Sequence, residues 1–399
     1  MTTKKRVQVV VAGAGPVGSV AAMYLAMNGV DVVLAETGPD NAADLRASTF
    51  HPPTLEMLDQ LKVTDFLLET GLKAPVYHWR DRKTGEILPF DFAELAGDTK
   101  YPFRLQCEQY HLSRKLSDRL AEEPHAEILF NHRLVWFQQD DDGVDVALET
   151  PMGIEHIRAD YLIGADGASS IVRKWLGVEF DGFTYPERFL CLSTEQEIRD
   201  EIPDLAYVNY VSDADEWMVL LRVPTLWRVL VPANEETNEE LLSDEKKTRV
   251  FNGFLKDGAS VQTRHRTIYR VHQRVAKSFR ENRVLLVGDA AHLNNPLGGF
   301  GMNSGVHDAF NLCERLVDVL KGGDDATLDQ FDRQRRTVTH AFTQAQTIEN
   351  MEIMRGGQGE AHARRGDRMR ALLTDDDARR QYLLRQSMIG SLRDAAAIA

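Results

Sequence analysis

Val7–Glu36 reads VQVVVAGAGPVGSVAAMYLAMNGVDVVLAE, and this stretch decides the fold. The apolar run Val7–Ala12 has the length and content of a buried strand. Gly13, Gly15, Pro16 and Gly18 follow, then apolar residues at helical spacing: Val20, Ala21, Tyr24 and Leu25. Gly29 is placed to end that helix. Asp31–Ala35 is a second strand, with Glu36 at its end. Strand, spaced glycines, helix, strand and acid form the context that a dinucleotide-binding turn requires. The first glycine permits the tight turn, the second lets backbone approach a pyrophosphate, and the third lets the helix pack on the strand. Glu36 is suited to a ribose hydroxyl pair, and an acid there disfavours a 2′-phosphate.

A second glycine and acid site lies far along the chain. Val284–Asn303 reads VLLVGDAAHLNNPLGGFGMN. Val284–Val287 is a short apolar strand, Gly288 breaks it, and Asp289 stands at its carboxyl end, where open α/β sheets place ligands. A loop with Pro296, Gly298, Gly299 and Gly301 then feeds a helix expected over Ser304–Leu320. Free N–H groups at such a helix start favour negative charge. A third site repeats the logic: strand Tyr161–Gly164 ends in Asp166-Gly167.

The 399 residues allow two or three domains, or one domain with insertions, and 43% hydrophobic residues suffice for a sizeable core. A net charge of −14 argues against a general binder of nucleic acid or anionic membrane. Cys107, Cys191 and Cys313 are far apart, show no metal spacing, and suit a reduced, cytoplasmic chain. No metal-ligating cluster and no Ser/His/Asp set emerge. The basic, apolar start is read as a strand rather than a signal peptide, and no 18 uninterrupted apolar residues suggest a membrane span.

Pro52 and Pro53 open a helix, and Val76–Phe92, with Gly85, suggests a hairpin. From Phe183 to Tyr269, aromatic-rich strand-like pieces replace β-α alternation, broken by a helix-like stretch over Glu235–Leu255. They read as a mostly antiparallel sheet inserted into the first domain. Leu328–Ile348 is expected as a long helix, Arg355–Gly366 as loop, and Met369–Ile398 as helical. The fold class is therefore α/β: a Rossmann-like domain, an inserted antiparallel sheet domain and C-terminal helices.

In this order and at these separations, the three glycine and acid sites resemble those of the flavin-dependent aromatic hydroxylases of the p-hydroxybenzoate hydroxylase type. The resemblance runs from about Val7 to at least Leu320. It implies FAD as cofactor, with Gly13, Gly15, Pro16 and Gly18 at the diphosphate and Glu36 on the adenosine ribose. It places Arg46 near the diphosphate, Gln106 near the ribityl chain, and Asp166-Gly167 at FAD and the nicotinamide. Asp289 matches the acid at the ribityl and diphosphate part, and Pro296 to Asn303, including Gly299, Gly301 and Met302, the loop beside the isoalloxazine ring. Phe300 departs from the glutamine common there. Residues 1–72, 104–182 and 276–350 would form the FAD-binding domain, 73–103 and 183–275 the substrate domain, and 351–399 a helical segment.

The activity implied is hydroxylation of a phenolic or hydroxylated heteroaromatic compound by O2, through a flavin C4a-hydroperoxide, with NADH or NADPH as donor. A dry pocket is required. Backbone N–H groups at Gly301, Met302 and Asn303 suit the anionic reduced flavin. Substrate-side candidates are Tyr207, Tyr210, Trp217, Met218, Asn294, Asn295 and Pro296, with core packing the plain reading for the aromatics. Arg222, within the apolar Val219–Val223, is the first candidate anchor for a carboxylate or phenolate. His51 and His78 are candidates for a proton relay, and His292 is read as structural. A small aromatic partner, no nucleic acid or membrane, and a monomer or homodimer are expected. A dehydrogenase, reductase or halogenase on the same scaffold is the alternative, although the WxWxIP halogenase signature is absent; a non-enzymatic flavin sensor is a further one.

Overall fold

The computed structural model describes residues 5–42, 47–213, 216–234, 236–355 and 360–399. Arg46, expected at the diphosphate, lies outside them. Strands Lys5–Ala12, Val32–Ala35, Ala126–Leu129, Gly153–Gly164 and Val284–Leu286 form a parallel sheet, in spatial order Val284–Leu286, Gly153–Gly164, Lys5–Ala12, Val32–Ala35, Ala126–Leu129. Apolar side chains on both faces of these strands explain their near-continuous Val, Ile and Leu content. Arg133–Asp140 and Gly143–Thr150 extend the long strand antiparallel. Helices Pro16–Met27, Gln109–Leu120 and Phe300–Leu320 pack onto this layer. The carboxyl ends of Lys5–Ala12, Gly153–Gly164 and Val284–Leu286 lead into the three glycine turns found in the sequence, and that of Val32–Ala35 into Glu36.

The second sheet runs in the order His292–Leu293, His265–Ala276, Phe180–Thr194, Trp227–Ala233, Met218–Arg222, Val208–Ser212, Val76–Asp81 and Ile87–Asp91. Every pairing is antiparallel except Val208–Ser212 with Val76–Asp81. Its two faces carry different cores. Met218, Leu220, Trp227 and Val229 bury against helices over Asn238–Leu242 and Asp244–Asn252. Cys191, Val219, Leu221 and Leu230 face the other way, toward the glycine loop at Leu297. A small third sheet joins Thr49–Phe50, Arg104–Gln106 and Leu72–Ala74.

The C-terminal helices depart from the expected pattern. Ala326–Val338 continues through a π-helical turn, Thr339–Gln344, into Ala345–Arg355. Helix Glu360–Thr374 occupies much of the segment expected as loop.

Among the described residues, no helix is long and apolar enough to cross a membrane.

Candidate active site

The turn after the first strand is set by backbone fit. A Cβ on Gly18 would stand 1.9 Å from the Gly13 carbonyl oxygen, so only glycine lets the helix approach the strand this closely. Gly15 has open space beyond its Cα and borders a cavity of about 570 Å³. Gly13, Pro16, Glu36, Asp166, Gly167, Asp289 and Met302 also line it. Glu36 accepts hydrogen bonds from the N–H groups of Ala14 (2.8 Å) and Gly38 (2.9 Å), which fixes its carboxylate at the rim.

A second cavity, about 200 Å³, abuts the first and shares Ala47, Asp289 and Met302 with it. One wall is the loop Asn294–Met302, including Pro296, Gly299 and Gly301; the other is the antiparallel sheet. The helix begins at Phe300, four residues earlier than expected, with Gly299 as its left-handed N-cap at φ +72°. Gly301 and Met302 are therefore in its first turn, where N–H groups lack partners within the helix. The sheet contributes apolar Val219, Leu221 and Leu230, together with Tyr210, Tyr269 and Arg228. Arg228 is buried and donates to the Ser48 hydroxyl (3.2 Å) and to Cys191 Sγ (3.7 Å).

A family profile described as an FAD binding domain matches residues 6–346. The para-nitrophenol 4-monooxygenase of Pseudomonas sp. (strain WBC-3) is 34% identical over 385 residues, 94% of each chain. The chain belongs to the FAD-dependent aromatic monooxygenases. The 6-hydroxy-3-succinoylpyridine 3-monooxygenase of Pseudomonas putida (strain DSM 28022 / S16) is 32% identical over 90% of this chain and 92% of its own. The crystal structure of a p-nitrophenol 4-monooxygenase from Pseudomonas putida DLL-E4 superposes with a TM-score of 0.90 at 32% identity, covering 96% of this chain and 99% of that one. These relatives support the monooxygenase reading over the dehydrogenase, reductase and sensor readings.

FAD fits the residues present. A side chain at Gly15 would project into the open cradle, Glu36 faces it from the next strand, and the first turn of Phe300–Leu320 borders the cavity beyond. Asp166 lines the cradle but is also committed locally. Its carboxylate accepts from the Ser170 hydroxyl and from the N–H groups of Ile171 (2.6 Å) and Val172 (3.1 Å), capping the next helix. Gln106 is fully buried beside Thr49, whose hydroxyl donates to its Oε1 (3.0 Å), and is set back from both cavities. Gln109 and Ser113, one helical turn apart, line the first cavity instead. Their i, i+4 spacing was the available signal.

In this monooxygenase several substrate-side expectations need correction. Arg222 does not line the second cavity. It pairs across strands with Trp227, packs near Trp227 and Glu197, and so lies on the far face of the sheet. Leu221 pairs with Arg228, which puts Arg228 on the cavity face. Met218 is on the far face with Arg222, while Trp217 packs edge-on to Phe189. Tyr207 sits beneath Arg199 and also misses the cavity.

His51 does not face the cavity either. It stacks on Phe300 and bonds through Nε2 to the Gly298 carbonyl (2.8 Å), while its backbone N–H donates to Asn303 Oδ1 (2.9 Å). Burial, with Arg104 nearby, holds its imidazole well below the ordinary value, so it is a neutral brace rather than a relay. His78, on the Val76–Asp81 strand, is also outside the cavity lining. Asn303 is likewise a clamp: its amide donates to the carbonyls of Thr49 (2.8 Å) and Gly299 (2.7 Å). Asn294 and Pro296 border the cavity, whereas Asn295 is buried against Tyr185 and the Thr347 carbonyl.

Phe300 borders the second cavity but packs its ring against Phe342, Val338 and Met388. A Cβ on Gly298, at φ +106°, would come within 2.5 Å of that ring.

A buried ion cluster supports the loop from behind. Asp308 accepts from His292 Nε2 (2.7 Å), Arg335 Nε (2.7 Å) and the Gly288 N–H (3.1 Å). His292 is structural, as its sequence context implied.

Proposed function

We propose that this monooxygenase hydroxylates a phenol or hydroxylated heteroaromatic ring with O2, using FAD and NADH or NADPH. The observation that carries the reading is the junction of the two cavities. The dinucleotide cradle opens, past Asp289 and Met302, into an apolar chamber walled by a helix start and by Tyr210 and Arg228.

FAD, when bound, supplies the redox chemistry, accepting reducing equivalents from the nicotinamide and activating dioxygen. Gly13, Gly15 and Pro16 would hold its diphosphate and Glu36 its ribose. The N–H groups of Gly301 and Met302, in the first turn of a helix, would offer positive potential to the charge of a reduced cofactor. Val219, Leu221, Leu230 and Leu297 exclude water from the chamber. Arg228 adds a buried cation that favours an anionic occupant. The nitrophenol and hydroxypyridine named for the relatives fit such a chamber: each is a small ring with an ionisable hydroxyl.

Purified protein should be yellow or turn yellow with FAD. A panel of phenols and hydroxypyridines should include one that accelerates NAD(P)H oxidation and acquires an atom of labelled O2. Protein that stays colourless with FAD, or that turns substrate over anaerobically with an artificial acceptor, would overturn the reading.

A further inference from the structure

We propose that Gln273, which lies outside both cavities, is a positioning residue for the hydroxylation. Acting through Asn295, it fixes the wall segment Asn294–Leu297, and this sets how much of the consumed NAD(P)H ends in hydroxylated product. The inference rests on the monooxygenase reading and adds to it a residue that touches neither substrate nor cofactor.

The short strand His292–Leu293 pairs with Val275 and Arg274, and the ladder stops there. Asn295 and Leu297 beyond it are buried, and a buried backbone polar group needs a partner. Side chains take the place of a neighbouring strand. Gln273 Oε1 accepts from the Asn295 backbone N–H (3.0 Å). Gln344 Nε2 donates to the Leu293 carbonyl (2.9 Å), and Asn350 Nδ2 donates to the Leu297 carbonyl (3.1 Å). Asn295 Nδ2 donates to the Thr347 carbonyl (2.8 Å).

Gln273 is buried on the strand His265–Ala276, and both ends of its amide are engaged. Nε2 donates to Thr347 Oγ1 (2.8 Å) and to the Gln344 carbonyl (3.3 Å). The Thr347 hydroxyl donates in turn to the Thr343 carbonyl (2.7 Å). One end of an amide only accepts and the other only donates, so these partners admit a single orientation. Thr343 and Gln344 close the π-helical turn, a geometry that recurs at functional sites. The same turn sets Phe342 against Phe300. It therefore grips the loop at two points, one apolar and one polar.

The hold reaches the cavity in one step. Asn294 Nδ2 donates to the Asn295 carbonyl (2.6 Å), and Asn294 Oδ1 lies 3.2 Å from where a Cβ on Gly301 would stand. Asn294, Pro296 and Gly301 all border the second cavity. Asn295 is thus fixed from behind, and its position is passed forward to the wall and to the helix start.

Two overall reactions compete at such a site. In one, NAD(P)H, a proton, O2 and the aromatic compound give NAD(P)+, water and the hydroxylated ring. In the other, NAD(P)H, a proton and O2 give NAD(P)+ and H2O2. Only the first needs the ring at a set distance from the cofactor, and a misplacement of about 1 Å can cost such a step about a hundredfold.

The test uses FAD-loaded full-length protein and the phenol that most stimulates NAD(P)H oxidation, with product and H2O2 both measured per NAD(P)H consumed. Gln273→Met and Thr347→Val keep volume but break the link, and each should lower product per NAD(P)H at least about threefold, with H2O2 making up the difference. Thr347→Ser keeps the hydroxyl and should keep the coupling. The ratio of variant to wild type should be constant between about pH 6 and 8, because amides and hydroxyls do not titrate there. Addition of the phenol without nicotinamide should give an altered difference spectrum of bound FAD in Gln273→Met, a readout independent of turnover.

Lys247→Met is the structural control. It removes a buried donor to the carbonyls of Ala259 and Val261, in a helix on the far face of the sheet, and should lower Tm but leave the coupling unchanged. Full coupling in Gln273→Met and Thr347→Val would overturn the proposal, as would equal uncoupling in Lys247→Met or in Thr347→Ser. Should Gln273→Met not fold, the Thr347 pair decides. Wild-type protein that hydroxylates no phenol would instead remove the monooxygenase reading beneath it.

Discussion

Replacing Asp308 with asparagine should destabilise the protein by about 3–5 kcal/mol at neutral pH, the usual effect of breaking one side of a buried ion pair. Asp308 and His292 are inaccessible to solvent and Arg335 is nearly so. Oδ1 accepts from Arg335, while Oδ2 accepts from both His292 and Gly288. Asparagine has nearly the same volume but only one acceptor oxygen. Whichever way its amide turns, an NH2 group confronts a donor and Arg335 keeps a buried charge. Burial alone would raise the Asp308 carboxyl, but His292 and Arg335 outweigh it and hold it below the ordinary range. Its contribution is then complete above the unfolded-chain value of about 3.9 and is lost as pH falls through the folded value. Urea unfolding followed by tryptophan fluorescence should therefore show a constant deficit for Asp308→Asn from pH 7 to about 5, shrinking in stronger acid. A combined Asp308→Leu and Arg335→Met variant should recover part of the loss, because the charge no longer needs a partner. A deficit below about 1 kcal/mol at pH 7 would refute the reasoning, since it would mean that Arg335 finds equal compensation elsewhere.

Glu36→Ala removes the acceptor for the Ala14 and Gly38 N–H groups, and FAD affinity measured by flavin fluorescence should fall roughly 10–100-fold. Arg228→Met should raise KM for an ionised phenol at least about tenfold, whereas Arg222→Met should leave it within about twofold; the reverse pattern would return Arg222 to the cavity. His307 is pushed down to about 3 by burial, with Arg335 adding to the effect, and His51 is also lowered. Both stay neutral in the fold but take up protons on unfolding. Stability in urea should therefore drop by roughly 2–3 kcal/mol between pH 6 and pH 5, and a flat profile there would contradict their burial.

The glycine turns were legible because each has a local cause. The Gly13–Gly18 spacing is dictated by a helix crossing a strand at close range, and the acids at strand ends by the polarity of the parallel sheet. The antiparallel character of the second sheet was legible from the lack of β-α alternation. Which residues of that sheet face the substrate was not. Arg222 and Arg228 both lie in apolar strands, and only the register, Leu221 opposite Arg228, sorts them; a shift of one residue reverses the answer. Arg104 sits in a short stretch, Phe103–Cys107, with no periodicity to betray a buried cation. Its neighbours come from the C-terminal helices and from the Val76–Asp81 strand. His51 was misjudged for the same reason: its partners are distant in sequence, and no local pattern encodes the direction of a ring.

The clamp at Asn303 has a bearing on how the chain is made. Its amide bonds Thr49 and His51 across separations of 254 and 252 residues, and His51 reaches Gly298 across 247. Contacts of such separation give slow folding. The glycine turn leaves the ribosome long before the loop that completes its cleft, so a nascent chain carries an open, apolar-lined half-site through most of its synthesis. The wall of the cofactor site can close only once the loop ending at Asn303 has emerged, and exposed half-sites of this kind are where chaperones act and aggregation begins.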